Sequence, residues 1–112
     1  MAPRHQEDDE SIYDGLDEEM TIQMVVEQSL REMLLVYTEA TAAGDRTRAR
    51  YCRRQVIAAK DRARFVSRDR RASPEKRAQK EEMVQWMLVW LENPAVFPAW
   101  VDARKRVEPP PA

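Results

Sequence analysis

Between Gly15 and Pro74 the chain contains one glycine, Gly44, and no proline. An uninterrupted backbone of that length suits helices, because strands need frequent turns and turns draw on Gly and Pro. Only 2 Gly occur in all 112 residues, which favours an all-α fold. Within this stretch Ala49, Cys52, Val56, Ala59, Ala63 and Val66 recur at alternating steps of three and four. That spacing is a heptad seam along one helix face.

The few breakers then place the elements. Asp17, Glu18 and Glu19 suit the positive end of a helix dipole. Gly44 suits the position just past a helix C-terminus. Asp45 can cap the next helix, and Ser73-Pro74-Glu75 is a cap, a first-turn proline and a first-turn acid in sequence. Asn93-Pro94 ends the helix that Ser73 begins. The expected helices are therefore about 17–43, 45–71, 74–92 and 98–104. The first two should form a long helical hairpin, with the third packed against it. Residues 1–16 form an acidic arm too poor in apolar residues to offset ordering entropy. Residues 105–112 read as a Pro-rich tail. The organisation expected is thus an arm, one helical domain over 17–104, and a tail.

Several function classes find little support. The one histidine, His5, lies in the acidic arm, and Cys52 lies on the helical seam with no histidine in sequence reach to activate it. No glycine-rich phosphate loop and no Cys/His metal set occurs. The expectation is a non-enzyme with no cofactor, no metal and no catalytic residues. No apolar run reaches the roughly 18 residues that span a membrane. The N-terminus has no apolar signal core. A single cysteine fits a reducing compartment, so a cytoplasmic or nuclear protein with no membrane partner is expected.

The first helix carries the most specific pattern. On a helical wheel Ile22, Val25, Val26, Ser29, Met33, Val36 and Tyr37 share one side, flanked by acids. The order of Asp17-Glu18-Glu19, Ile22, Val25-Val26, Ser29-Leu30 and Glu32 resembles a ubiquitin-interacting motif. Residues 11–32, with Ser11-Ile12-Tyr13, Leu16 and Glu27-Gln28-Ser29-Leu30, are similar to the N-terminal region of some ankyrin-repeat and SOCS-box proteins. The resemblance implies a single helix lying across the apolar patch of ubiquitin. Ile22, Val26 and Leu30 would be aliphatic contacts, Ser29 the polar contact, and Glu18, Glu19 and Glu32 the acids facing a basic rim. Val25 stands where the motif has Ala, and crowding of that kind costs about 1–3 kcal/mol. After residue 32 the match stops, with no ankyrin signature and no SOCS-box spacing around Cys52. The same stripe would serve equally well to pack a helical bundle.

The second helix is basic. Residues 46–71 hold eleven Lys/Arg against two acids, whereas residues 1–44 hold 11 acids against two Lys/Arg. Ten of the eleven cations are Arg, which suits phosphate and carboxylate alike. Nucleic acid is the alternative partner, through Arg46, Arg50, Arg53, Arg54, Arg64, Arg68, Arg70 and Arg71, with Tyr51 and Phe65 available to stack. Arg68-Asp69-Arg70-Arg71 could also serve nuclear import. Internal neutralisation competes with both, since a hairpin at Gly44 would set the acidic helix against the basic one. Trp86, Trp90, Phe97 and Trp100 are expected to fill the core.

The sequence thus points to an adaptor or interaction protein that reads ubiquitin through its first helix. The alternatives are an Arg-rich nucleic-acid-associated helical protein, or a structural subunit forming a coiled-coil homo-oligomer through the 49–66 seam.

Overall fold

The computed structural model describes residues 18–106, with side chains from 22 to 105; the arm at 1–16 and the chain beyond 106 lie outside the described residues. Four α-helices follow one another: α1 (Glu18–Ala42), α2 (Arg46–Ser67), α3 (Pro74–Glu92) and α4 (Phe97–Arg106), with a 3-10 turn at Pro94–Val96 before the last. Among the described residues there is no strand. The last helix runs to Arg106, two residues past its expected end.

The helix ends follow from local chemistry. Gly44 has φ +74°, a left-handed conformation that costs an L side chain and suits glycine. Around it the Asp45 N–H donates to the Ala40 carbonyl at 2.8 Å, and the Gly44 N–H to the Thr41 carbonyl at 3.1 Å. These two bonds satisfy the terminal carbonyls of α1 in the Schellman pattern. Asp45 then accepts the Arg48 N–H at 3.1 Å and so caps α2. Ser73 does the same for α3, accepting the Lys76 N–H at 3.1 Å.

The end of α2 differs from expectation. The helix stops at Ser67 instead of running to 71. Asp69 accepts the Arg71 N–H at 3.0 Å and folds the chain into a local turn. An Asp side chain that bonds its own backbone two residues on competes with helical bonding, and here it wins.

The closest helix packing is between α2 and α3, not between α1 and α2. The reason is the payload on α3. Met83, Val84, Trp86, Met87 and Trp90 are all buried there, and Cys52, Val56 and Ala63 of the α2 seam are buried with them. The inner part of the seam is therefore occupied within the molecule, while Ala49, Ala59 and Val66 are half-buried. A homo-oligomer through this seam would have to form without Cys52, Val56 and Ala63, which are already packed inside.

Trp90 is the centre of the core. It is fully buried, and its indole N–H donates to the Leu30 carbonyl of α1 at 3.0 Å. Tyr37 meets it edge-on, with ring centroids 5.5 Å apart. Phe97 and Val101 of α4 are also fully buried. Trp86 is buried with its N–H on Glu82 at 2.9 Å, so both buried indoles have polar partners. Trp100 is only half-buried, beneath the Arg104 guanidinium at 5.2 Å. The expected aromatic core is thus present, with Trp100 at its edge.

Candidate functional site

Two helix faces carry the residues singled out by sequence. The first is the α1 stripe. Ile22 and Val26 are half-buried and pack against the core. Val25 is 60% exposed, and Ser29 and Glu32 are exposed beside it. Leu30 is 5% exposed and belongs to the core cluster with Trp90, whose indole N–H its carbonyl accepts. The side chains of Glu18 and Glu19 fall outside the described ones. Glu32 accepts from Gln28 Nε2 at 3.0 Å along the helix.

The structure therefore divides the stripe. Val25, Ser29 and Glu32 form an outward edge, Ile22 and Val26 lie on the shoulder, and Leu30 belongs to the core. Leu30 cannot act as a surface contact in this fold.

Two further apolar residues on α1 are exposed, Met24 at 54% and Leu35 at 66%. At 100° per residue they fall on the same side of α1 as Glu27 and Arg31, away from the stripe. In the structure those two charged residues are covered by α4. Arg31 pairs with Asp102 and with Glu27, both at 2.8 Å, and Lys105 reaches Glu27 at 3.1 Å. The burial of part of this face depends on charges 71 and 78 residues away, for which spacing within α1 carries no signal.

The second face is the outer side of α2. Tyr51 is 57% exposed, Ile57 38% and Phe65 68%. Arg46, Arg50, Arg54, Arg68 and Arg70 are exposed and Arg64 is half-exposed. None of these six joins an ion pair among the described residues. Two members of the expected nucleic-acid set behave differently. Arg53 turns inward and donates to the Leu91 carbonyl at 2.8 Å, so it serves as a tie between α2 and α3. Its place in that set is corrected accordingly. Arg71 is held by Asp69 at 3.2 Å. Arg62, which the expected set omitted, is exposed on the same outer side.

The expected neutralisation of α2 by α1 does not take place through ion pairs. Among the described residues no salt bridge joins these two helices. The α2 face turned inward is its apolar seam, so its arginines other than Arg53 lie toward solvent instead of pairing with α1.

Near the C-terminal end of α2 the surface dips into an open depression of about 540 Å³, lined by Asp61, Arg64, Phe65, Arg68, Asp69 and Arg70. Asp61 is held by Lys60 at 2.9 Å, and Asp69 by Arg71. Arg64, Arg68 and Arg70 are the cations left uncompensated around Phe65.

Cys52 is fully buried, and burial pushes its thiol above the ordinary cysteine range. It is a packing side chain held in its protonated form. Among the described residues no group of three or more His, Cys, Asp or Glu could hold a metal ion, and no helix is long and apolar enough to cross a membrane.

No family model matches the chain, and no curated protein or solved structure matches it either.

Proposed function

We propose that the chain is a non-enzymatic interaction protein that binds ubiquitin through the outward edge of α1. The observation that supports this is the exposure of Val25, 60%, with Ser29 and Glu32 open beside it. Those are the small-residue, polar and acidic positions of the pattern seen in sequence. Ile22 and Val26 supply apolar flanks that are half-covered. Leu30 drops out of the contact set, so the surface buried would be smaller than a free helix could offer. Loss of apolar area lowers affinity at roughly 25 cal/mol per Å². A weak, transient contact is the form such binding takes. A cytoplasmic or nuclear site of action goes with this reading.

The test is a titration of isotope-labelled monoubiquitin with the full chain, followed by amide shifts. Saturable shifts confined to one apolar patch of ubiquitin and its basic rim are expected. Ser29→Asp should abolish them, since a carboxylate would replace a neutral hydroxyl at the centre of the contact. Val25→Ala should strengthen binding by a few-fold, because it removes bulk where the helix must approach closely. An unperturbed ubiquitin spectrum at millimolar protein would end this reading.

A further inference from the structure

Phe65 and Tyr51 are the two most exposed aromatic side chains among the described residues, at 68% and 57%. They sit fourteen residues apart on the outer side of one helix, so about 21 Å separates them at 1.5 Å per residue. Fourteen residues also bring them to nearly the same angle around the helix axis. A large aromatic ring left in solvent, twice on one face, is unlike the other aromatic side chains among the described residues. Trp86, Trp90 and Phe97 are all buried, and Tyr37 packs against Trp90.

We propose that this face of α2 binds single-stranded nucleic acid, with bases stacked on Tyr51 and Phe65 and phosphates held by the arginines around them. Arg54 and Arg62 lie between the two rings in sequence. Arg64, Arg68 and Arg70 surround Phe65 in the depression at the helix end. None of these five has an acidic partner among the described residues. The guanidinium fork fits a phosphate with two parallel bonds. The two acids in the depression are already engaged by Lys60 and Arg71, which limits their repulsion of a phosphate. Two stacking platforms set among cations are the arrangement that grips unpaired bases without regard to sequence. The interval of about 21 Å spans roughly six nucleotides at 3.4 Å each, and fewer in an extended strand.

The aromatic rings decide between polyanions. A duplex offers its phosphates but keeps its base faces stacked inside, so it would leave Tyr51 and Phe65 unused. An acidic peptide would satisfy the arginines and has no obligatory flat groups for the rings. Only a single strand uses both kinds of residue. The site lies on a different helix from the α1 edge and stands or falls independently of the ubiquitin reading.

The experiment is fluorescence anisotropy of a labelled 12-nucleotide oligo-dT and oligo-U with the full chain at several salt concentrations. Saturable binding is expected, with log K falling against log salt at about 0.7 per phosphate neutralised. Four contacts would give a slope near −3. Phe65→Leu and Tyr51→Leu should each weaken binding about five- to tenfold at fixed salt. Both side chains are solvated, so unchanged far-ultraviolet circular dichroism is expected for the variants. Arg68→Gln should reduce the salt slope. Duplex of the same length should bind more weakly, and polyglutamate of equal charge should compete poorly. Equal binding of duplex or polyglutamate, or Leu variants that bind as well as the parent, would overturn the proposal. So would the absence of binding at low salt.

Discussion

At the scale of single residues, Trp90 does two things that no smaller side chain could. It fills the space between α1 and α3, and its N–H meets a carbonyl sixty residues away in sequence. Trp90→Ala should cost about 3–5 kcal/mol, the range for removing a fully buried aromatic. Trp90→Phe should cost less, about 1–3 kcal/mol, since it keeps most of the apolar volume and loses the hydrogen bond. Urea denaturation of the two variants measures both. Equal losses would mean that the indole N–H contributes nothing beyond volume. Leu30 and Val25 make a second residue-scale point. They stand five positions apart on one amphipathic helix, yet one is 5% exposed and the other 60%. The resemblance to a ubiquitin-interacting motif groups both in one contact surface, although five residues turn a helix by about 140°. Their different fates depend on how far around α1 the core extends.

At the scale of elements, most boundaries were legible because each rests on a local rule. Gly44, Ser73-Pro74 and Asn93-Pro94 act through their own backbone, with no help from distant contacts. The C-terminus of α2 was not legible by the same reading. Its early stop depends on the Asp69 side chain taking the Arg71 N–H, and an Asp in a run of arginines looks like one more surface charge. The turn at Gly44 has a direct test. A Cβ added there would meet no heavy atom within 4 Å, so Gly44→Ala carries only the backbone cost of φ +74°. That cost is about 1–2 kcal/mol. Thermal unfolding should register it as a lower Tm. A neutral result would mean that the turn relaxes out of its left-handed conformation. The α2 seam was legible as apolar but not as to its partner, since a heptad repeat serves a second copy and a neighbouring helix equally well.

At the scale of the whole molecule, α4 acts as a clasp. Its Asp102 and Lys105 bind Arg31 and Glu27 of α1, and its Arg104 binds Glu82 of α3. The hydrogen bond from Arg104 holds the Glu82 carboxyl below its usual range, working against partial burial, which raises it. A carboxyl depressed in the folded state stabilises the fold above its unfolded pKa of about 4.3, and that contribution is lost as pH falls through the lower folded value. Stability in urea should therefore decline on acidification below about pH 4.5, and Glu82→Gln should flatten part of that decline. A variant with the parent's pH profile would show that the pair contributes nothing. What the sequence by itself determined was the number of helices, most of their ends, the inner seam of α2 and the aromatic content of the core. These come from periodicity and from residues that act on their own backbone. Only the tertiary structure decided which faces remain open. Periodicity marks a side of a helix as apolar or charged, but the groups that cover that side come from elsewhere in the chain. Here α4 covered Glu27 and Arg31, Leu30 joined the core around Trp90, and the arginines of α2 other than Arg53 were left toward water beside Tyr51 and Phe65.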